Sequence, residues 1–363
     1  MAPFVRLRQH LSAEQTGAVR QQADLRKRGK RKFTAAERMF FTDIGLQQAT
    51  DELIAAYKAA RFPADAKLAD LCCGIGGDLI ALARRGPTTA IDASVEHLCF
   101  AETNVRANGA SLEQAVQGLA EEAPLENFAA WHIDPDRRAS EQRTVRLENF
   151  SPTLGKLEEM LARNPNAALK LAPASAIPPA WEALGQCEWI THHRECKQLV
   201  VWLGSLCEEP GSRKATRIGG DGQINHFTGS PASRQVAASE VQRYLFDPDP
   251  SLVASGLLDS LAEQLSLARV ASLSQYLTGT QPIVHPFLQT FEVLGQEKLD
   301  PKRLKRSVSE AEWGVLELKQ RGLELNLQTL RKQLKPRGAG EGTIVFSPTV
   351  EGNRAIFCRR ISP

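Results

Sequence analysis

The sequence predicts an α/β protein built on a mostly parallel sheet, with a helical extension before it and a small α+β region after it. Two observations carry that prediction. From Lys67 to about Gly204, short apolar runs alternate with amphipathic stretches in the manner of βαβ units. Within that tract, a glycine-rich loop joins the first apolar run to the first helix-like stretch. At 363 residues the chain has room for two domains, or for one core with large flanking elements.

Residues 1–66 read as a helical extension that includes the basic run Arg26-Lys-Arg-Gly-Lys-Arg-Lys32. In the domain expected over 67–207, the strand candidates are Leu68–Cys72, Thr89–Asp92, Ala129–Ile133, Ala167–Leu171 and Leu199–Leu203. Helix candidates lie between them at Asp78–Arg85, Val95–Asn108 and Thr153–Arg163. Glu208–Ser233 is rich in Gly, Ser, Arg and Thr without periodicity, so 208–285 reads as a linker leading into a helical connecting region. The last part, 286–363, holds a basic segment, a helix candidate at Leu327–Leu334 and strand-like runs at Gly342–Phe346 and Arg354–Cys358.

The formal charge of +3 favours no partner by itself. No apolar core of signal-peptide length follows the N-terminus, and no run approaches the roughly 18 apolar residues of a membrane span, so no membrane partner is expected. The seven cysteines are scattered and lack zinc-ligand spacing. These features predict a reduced, cytoplasmic protein without a structural metal.

The central motif is Asp70-Leu-Cys-Cys-Gly74-Ile-Gly76-Gly77-Asp78. Glycines there let the backbone approach a ligand where a Cβ would collide. A dinucleotide site would need a third glycine at position 79, which is Leu, and Asp78 would repel a pyrophosphate at the helix N-terminus. Asp70, four residues before the first glycine, suits a ligand with an ammonium or hydroxyl donor. Asp92, ending the second strand, can accept both hydroxyls of a ribose. Together they imply a positively charged, phosphate-free nucleoside, and S-adenosylmethionine fits that description. The candidate cofactor residues are Asp70, Cys72, Gly74, Gly76, Gly77, Asp92 and Ala93. The other reading is a glycine-rich turn of an unrelated α/β protein. The adenine contact is left among Gln117, Glu121 and Glu122.

The fourth run leads into Ala130-Trp-His-Ile-Asp134-Pro-Asp-Arg-Arg138. Ligands of such sheets bind beyond the carboxyl ends of the strands, which would place Asp134 beside the methyl donor, with Pro135 restricting the loop. A carboxylate and a backbone carbonyl at that place can hold an exocyclic amine in line with a methyl group. Arg137 and Arg138 suit a phosphate of a nucleic acid. The competing reading is a polar turn in which Asp134 caps the next helix. His132 reads as a strand residue facing the core, Trp131 as packing, and His192-His193 as part of a polar turn.

Phe40-Phe-Thr42, Ala49-Thr-Asp51, the Asp70–Asp78 loop, Asp134-Pro-x-Arg-Arg138, Lys170-Leu-Ala-Pro173, Tyr244–Asp249 and Leu316–Gly322 together resemble the THUMP-like-domain class I methyltransferases. The resemblance implies a Rossmann-like class I methyltransferase domain holding S-adenosylmethionine, followed by a small THUMP-like domain. It also implies that Asp134 and Pro135 occupy the position used by base-amine methyltransferases, with Arg137, Arg138 and Lys170 toward the substrate. Asp136 stands where a small residue is expected, and Leu119 where an acidic one is. THUMP-type domains are associated with RNA, and the basic residues Lys302–Arg306, Lys319, Arg321, Arg331, Lys332, Lys335 and Arg337 are candidates for phosphate contact. The expected activity is methylation of a base amine in tRNA or rRNA. The alternatives are a catalytically silent RNA-binding protein, and a methyltransferase for DNA or a small molecule.

Overall fold

The computed structural model describes residues 10–136 and 150–361. The chain divides into two compact units, Met1–Ile190 with Lys197–Ser212, and Thr191–Cys196 with Arg213–Pro363.

The first unit opens with helices α1 (Ala13–Gly29), α2 (Asp43–Gln48) and α3 (Glu52–Ala59). Each begins where the sequence supplies a cap. Ser12 and Gln15 form a reciprocal capping box, Thr42 Oγ1 accepts from the Gly45 N–H, and Asp51 accepts from the Ile54 N–H. The basic run that ends α1 is largely engaged within the unit. Arg28 pairs with Asp43, Lys30 with Glu37, and Arg26 donates to the Met39 carbonyl. Lys32 donates to the carbonyls of Leu46, Gln47 and Ala49, which satisfies the C-terminal end of α2. Of the six cations, Lys27 and Arg31 are exposed.

The sheet of this unit contains β1 (Leu68–Leu71), β2 (Thr88–Asp92), β3 (Gln114–Gln117), β4 (Ala130–Ile133), β5 (Ala167–Leu171), β6 (Gln186–His192) and β7 (Glu195–Trp202), in the order β3-β2-β1-β4-β5-β7-β6. The first five strands run parallel, and β7 lies antiparallel to β5. Helices α4 (Leu79–Ala83), α5 (Val95–Ala107), α6 (Leu154–Arg163) and α7 (Pro179–Leu184) connect them. An antiparallel strand next to β5 departs from the dinucleotide-binding order.

The helical extension packs into this unit: Leu25, Phe33, Met39, Phe41 and Leu46 share one core with Ile75, Leu79, Leu98 and Ala101. Strand β6 was hidden in the sequence by its polar residues, all of them buried. Glu188 stays inside because the Tyr57 hydroxyl and the Trp202 indole N–H donate to it.

The second unit contains β8 (Arg213–Ile218) and β9 (Ile224–Gly229), an antiparallel hairpin in the stretch expected to be a loop. Arg213, Lys214, Thr216 and Arg217 conceal β8 from a hydrophobicity pattern, while Gly219–Gly222 supplies the turn. Then follow β10 (Tyr244–Pro248), α8 (Pro250–Ala254), α9 (Leu258–Gln264), β11 (Ala268–Arg269), β12 (Leu277–Gly279), β13 (Leu288–Lys298), α10 (Pro301–Glu310), β14 (Trp313–Gln320), α11 (Leu327–Leu334), β15 (Gly340–Thr349) and β16 (Gly352–Arg360). The connecting region is therefore mixed rather than helical. Its strands continue the sheet β11-β12-β10-β13-β16-β15-β14, in which only β14 and β15 pair in parallel. Helices α10 and α11 bury Leu304, Val308 and Leu334 against Trp313, Ile344 and Phe357. Among the described residues, no helix is long and apolar enough to cross a membrane.

Asp247 on β10 organises this unit. Lys319 Nζ and Arg194 Nη2 lie 2.8 and 2.9 Å from its Oδ2, and Arg321 Nε lies 3.1 Å from its Oδ1. Burial would raise this carboxyl, but Arg321, Lys319 and Arg194 outweigh it and hold it below the ordinary carboxylate range. A lowered folded-state value contributes stability above the ordinary range, and that contribution is lost as pH falls through the lowered value. Asp247→Asn leaves three cations facing one another and is expected to cost roughly 3–5 kcal/mol at neutral pH. Urea unfolding measured from pH 7 to pH 3 should show the gap between parent and variant narrowing in acid.

Candidate active site

The carboxyl ends of β1, β2, β4 and β5 open into one cavity of roughly 320 Å³, toward the small end of small-molecule sites. Of the residues singled out in the sequence, Asp70, Cys72, Gly74, Gly77, Asp92, Ala93, Asp134, Pro135 and Lys170 all line it. Gly76 lies beneath the surface against Ala101. Arg137 and Arg138 fall outside the described residues.

The loop turns away from β1 through left-handed backbone at Cys72 (φ 55°), Gly74 (φ 54°) and Gly76 (φ 91°). A Cβ on Gly76 would also come within 3.3 Å of the Ala101 Cα. Gly77 has a different task. A Cβ there would stand 2.9 Å from the Thr50 nitrogen and 3.0 Å from its oxygen, so its absence lets the extension's backbone rest on the loop. Asn104 completes the frame by donating to the carbonyls of Phe40 and Ile75.

Asp78 does not face outward as a bare charge. Its carboxylate lies 2.7 Å from Lys58 Nζ and accepts a 2.6 Å hydrogen bond from the Thr50 hydroxyl. Burial alone would raise its carboxyl; Lys58, with His132 and Lys170, reverses this and keeps it ionised. The repulsion expected toward a pyrophosphate is thus largely neutralised within the protein. The Leu at position 79 and the strand order remain the stronger arguments against a dinucleotide.

Asp92 accepts from the N–H groups of Gly74 and Ser94, both at 2.9 Å, and its Oδ1 lies 3.3 Å from His97 Nδ1. Burial would raise its carboxyl, but His97 and the two backbone donors hold it low, while Asp92 raises His97. Each carboxylate oxygen keeps acceptor capacity for a hydroxyl. His97 lines the cavity and went unnoticed in the sequence. The available signal was its place in the first turn of a helix capped by Ser94, beside Asp92.

On β1 and β4, Asp70 and His132 are register partners. Asp70 Oδ1 lies 2.7 Å from His132 Nδ1, whereas the buried Oδ2 has no hydrogen-bond partner among the described residues. His132 is a buried strand residue, as expected, yet it also lines the cavity and meets Lys58. Trp131 is packing: fully buried, it donates its indole N–H to the Asn164 carbonyl.

Asp134 stands one residue past β4, with Lys170 Nζ at 2.5 Å from its Oδ2 and 3.8 Å from Asp78. Among the described residues it caps no helix. Lys170, expected toward the substrate, is ion-paired to the carboxylate expected to act on it. Asp136 and Ser151 exchange two backbone hydrogen bonds and line the cavity beside Pro135. Gln117, Glu121 and Glu122 do not line it, and Gln117 donates to the Ala93 carbonyl.

Comparison with known proteins bears on this arrangement. Residues 288–360 match the family model described as THUMP domain-like. Two uncharacterized S-adenosylmethionine-dependent methyltransferases of Mycobacterium tuberculosis, from strains CDC 1551 and H37Rv, are each 27% identical over 327 residues, covering 88% of both chains. A methyltransferase candidate of solved structure from Porphyromonas gingivalis W83 superposes with a TM-score of 0.80 at 19% identity, over 97% of this chain and 92% of that one. The chain thus resembles S-adenosylmethionine-dependent methyltransferases over most of its length and carries a THUMP-like domain at 288–360. The THUMP-like match begins with β13 and ends with β16, so β10–β12 extend its sheet beyond the matched segment.

The two kinds of glycine in this methyltransferase loop should separate experimentally. Gly77→Ala forces the loop off Thr50 and is expected to cost about 1–3 kcal/mol. Gly74→Ala meets no atom within 4 Å and should lose only about 1 kcal/mol through its backbone conformation. Thermal unfolding of both variants measures the order.

Proposed function

We propose that the protein transfers the methyl group of S-adenosylmethionine to an exocyclic amine of an RNA base, with tRNA and rRNA as the candidate substrates. The observation that carries this reading is the placement of Asp134-Pro135 in the same cavity as Asp70, Gly74 and Asp92. The residues fit the cofactor: the unpartnered Asp70 oxygen suits its ammonium, the open side of Gly74 leaves room for its chain, and Asp92 suits its ribose.

When bound, S-adenosylmethionine supplies an electrophilic methyl group on a sulfonium. The protein's work is positional. Lys170 holds one oxygen of Asp134, which leaves the other to accept a hydrogen bond from an amine at the mouth of the cavity. Pro135 restricts the backbone that carries this carboxylate. The amine's lone pair is thereby kept free of that hydrogen bond and aimed inward.

RNA is favoured by helices α10 and α11, whose exposed faces carry Lys302, Arg303, Lys305, Arg331 and Lys332. Lys319 and Arg321 drop out of the expected basic surface because they are bound to Asp247.

The test combines calorimetry with tritium transfer. S-adenosylhomocysteine should bind the parent and Asp134→Ala alike, while methyl transfer to RNA from a deletion strain should fall about 100-fold in the variant. Absence of binding to the parent would sink the cofactor assignment. Transfer to DNA or to small molecules alone would sink the RNA assignment, and binding without any transfer would favour a silent RNA-binding protein.

A further inference from the structure

We infer that His132 and Lys58 are positioning residues that aim Asp70 at the ammonium group of the bound cofactor. The inference rests on the cofactor site proposed above, and neither residue touches the ligand in it.

The three side chains form a buried line across the sheet. Asp70 and His132 are each about 2% exposed at the side chain, as is Lys58. His132 Nε2 lies 3.2 Å from Lys58 Nζ, and its Nδ1 lies 2.7 Å from Asp70 Oδ1. Asp78, 2.7 Å from Lys58 Nζ, favours its ammonium form against burial, which pulls the lysine down. An ammonium has donors only, so the Nε2 that faces it must accept. The single proton of the neutral imidazole then sits on Nδ1 and is donated to Asp70. Lys58 thus selects the tautomer, and the tautomer fixes one carboxylate oxygen.

The other oxygen, Oδ2, is buried without a hydrogen-bond partner among the described residues, and Asp70 lines the cavity. A core ion cluster with no ligand role would satisfy both oxygens, since leaving one bare in the interior is costly. Burial also pushes the Asp70 carboxyl up against the pull of His132, as befits a group that a ligand's positive charge would complete. The titratable groups around it are His132, Lys58 and Asp78. Without Lys58, His132 is free to take the opposite tautomer and turn a lone pair toward Asp70. The carboxylate would then lose its anchor and its direction.

The experiment compares two ligands on the full-length protein. S-adenosylhomocysteine carries the ammonium; 5′-methylthioadenosine has the same nucleoside and a thioether but no amino-acid group. His132→Gln should weaken the first at least tenfold and leave the second within about twofold. His132→Asn, whose amide places a donor near the former Nδ1, should restore most of the affinity. Nitrogen-15 spectra of the parent should show a neutral imidazole protonated at Nδ1. Equal loss of both ligands, no loss of either, or a proton on Nε2 would overturn the inference. Failure of the parent to bind either ligand would instead overturn the cofactor site itself. The spectroscopic readout stands even where a variant fails to fold.

Discussion

Lys58 sits on α3 among Ile54, Ala55 and Ala59, with its ammonium out of reach of solvent. An unpaired charge in that position would cost several kcal/mol, so α3 can dock only where an anion awaits it. Asp78 is that anion, and it stands at the point where the glycine loop enters α4. Thr50 adds its hydroxyl to the same carboxylate, and Gly77 lets the Thr50 backbone lie against the loop. Docking the N-terminal extension and shaping the loop are therefore one event. His132 and Asp70 take their geometry from the same lysine.

The strand order then sets out the chemistry. Strands β2, β1, β4 and β5 are neighbours, and their ends carry Asp92, Asp70, Asp134 and Lys170 respectively. The first two acids face the cavity over a loop whose glycines leave backbone and space open. The third is met by a lysine. A cation thus finds its counter-charges on the β1–β2 side, and an uncharged amine finds an anchored acceptor on the β4–β5 side. Such a division suits the meeting of a sulfonium nucleoside with a neutral nucleophile.

Charge in the second unit serves two purposes. Arg194, Lys319 and Arg321 converge on Asp247, and Arg360 pairs with Glu317, so these cations hold strands together. The cations of α10 and α11 point outward from helices whose apolar faces are already buried. A count of Lys and Arg along the chain mixes the two groups. The same holds for α1, where Lys32 ends another helix and Arg28 pairs with Asp43.

Much of the first unit was legible without coordinates. Strands β1, β2, β4 and β5 appear as apolar runs because both their faces are covered, and glycines 74 and 76 announce backbone that only glycine adopts easily. Position 70 and position 92 were readable because each carboxylate stands at or near the carboxyl end of a strand, where such sheets bind ligands. Strands β6 and β8 were not readable, since their buried polar residues find partners far away in sequence, as Glu188 does in Tyr57. Nor could spacing reveal that Asp78 turns inward to Lys58, or that Lys170 reaches Asp134, because each pair joins different elements. The sequence by itself determined which groups stand at the carboxyl ends of the strands, because β-strand periodicity and glycine stereochemistry act locally. Only the tertiary structure decided which of those groups are paired and which are left open to a ligand, because a charge chooses its partner through space and burial sets what that choice is worth.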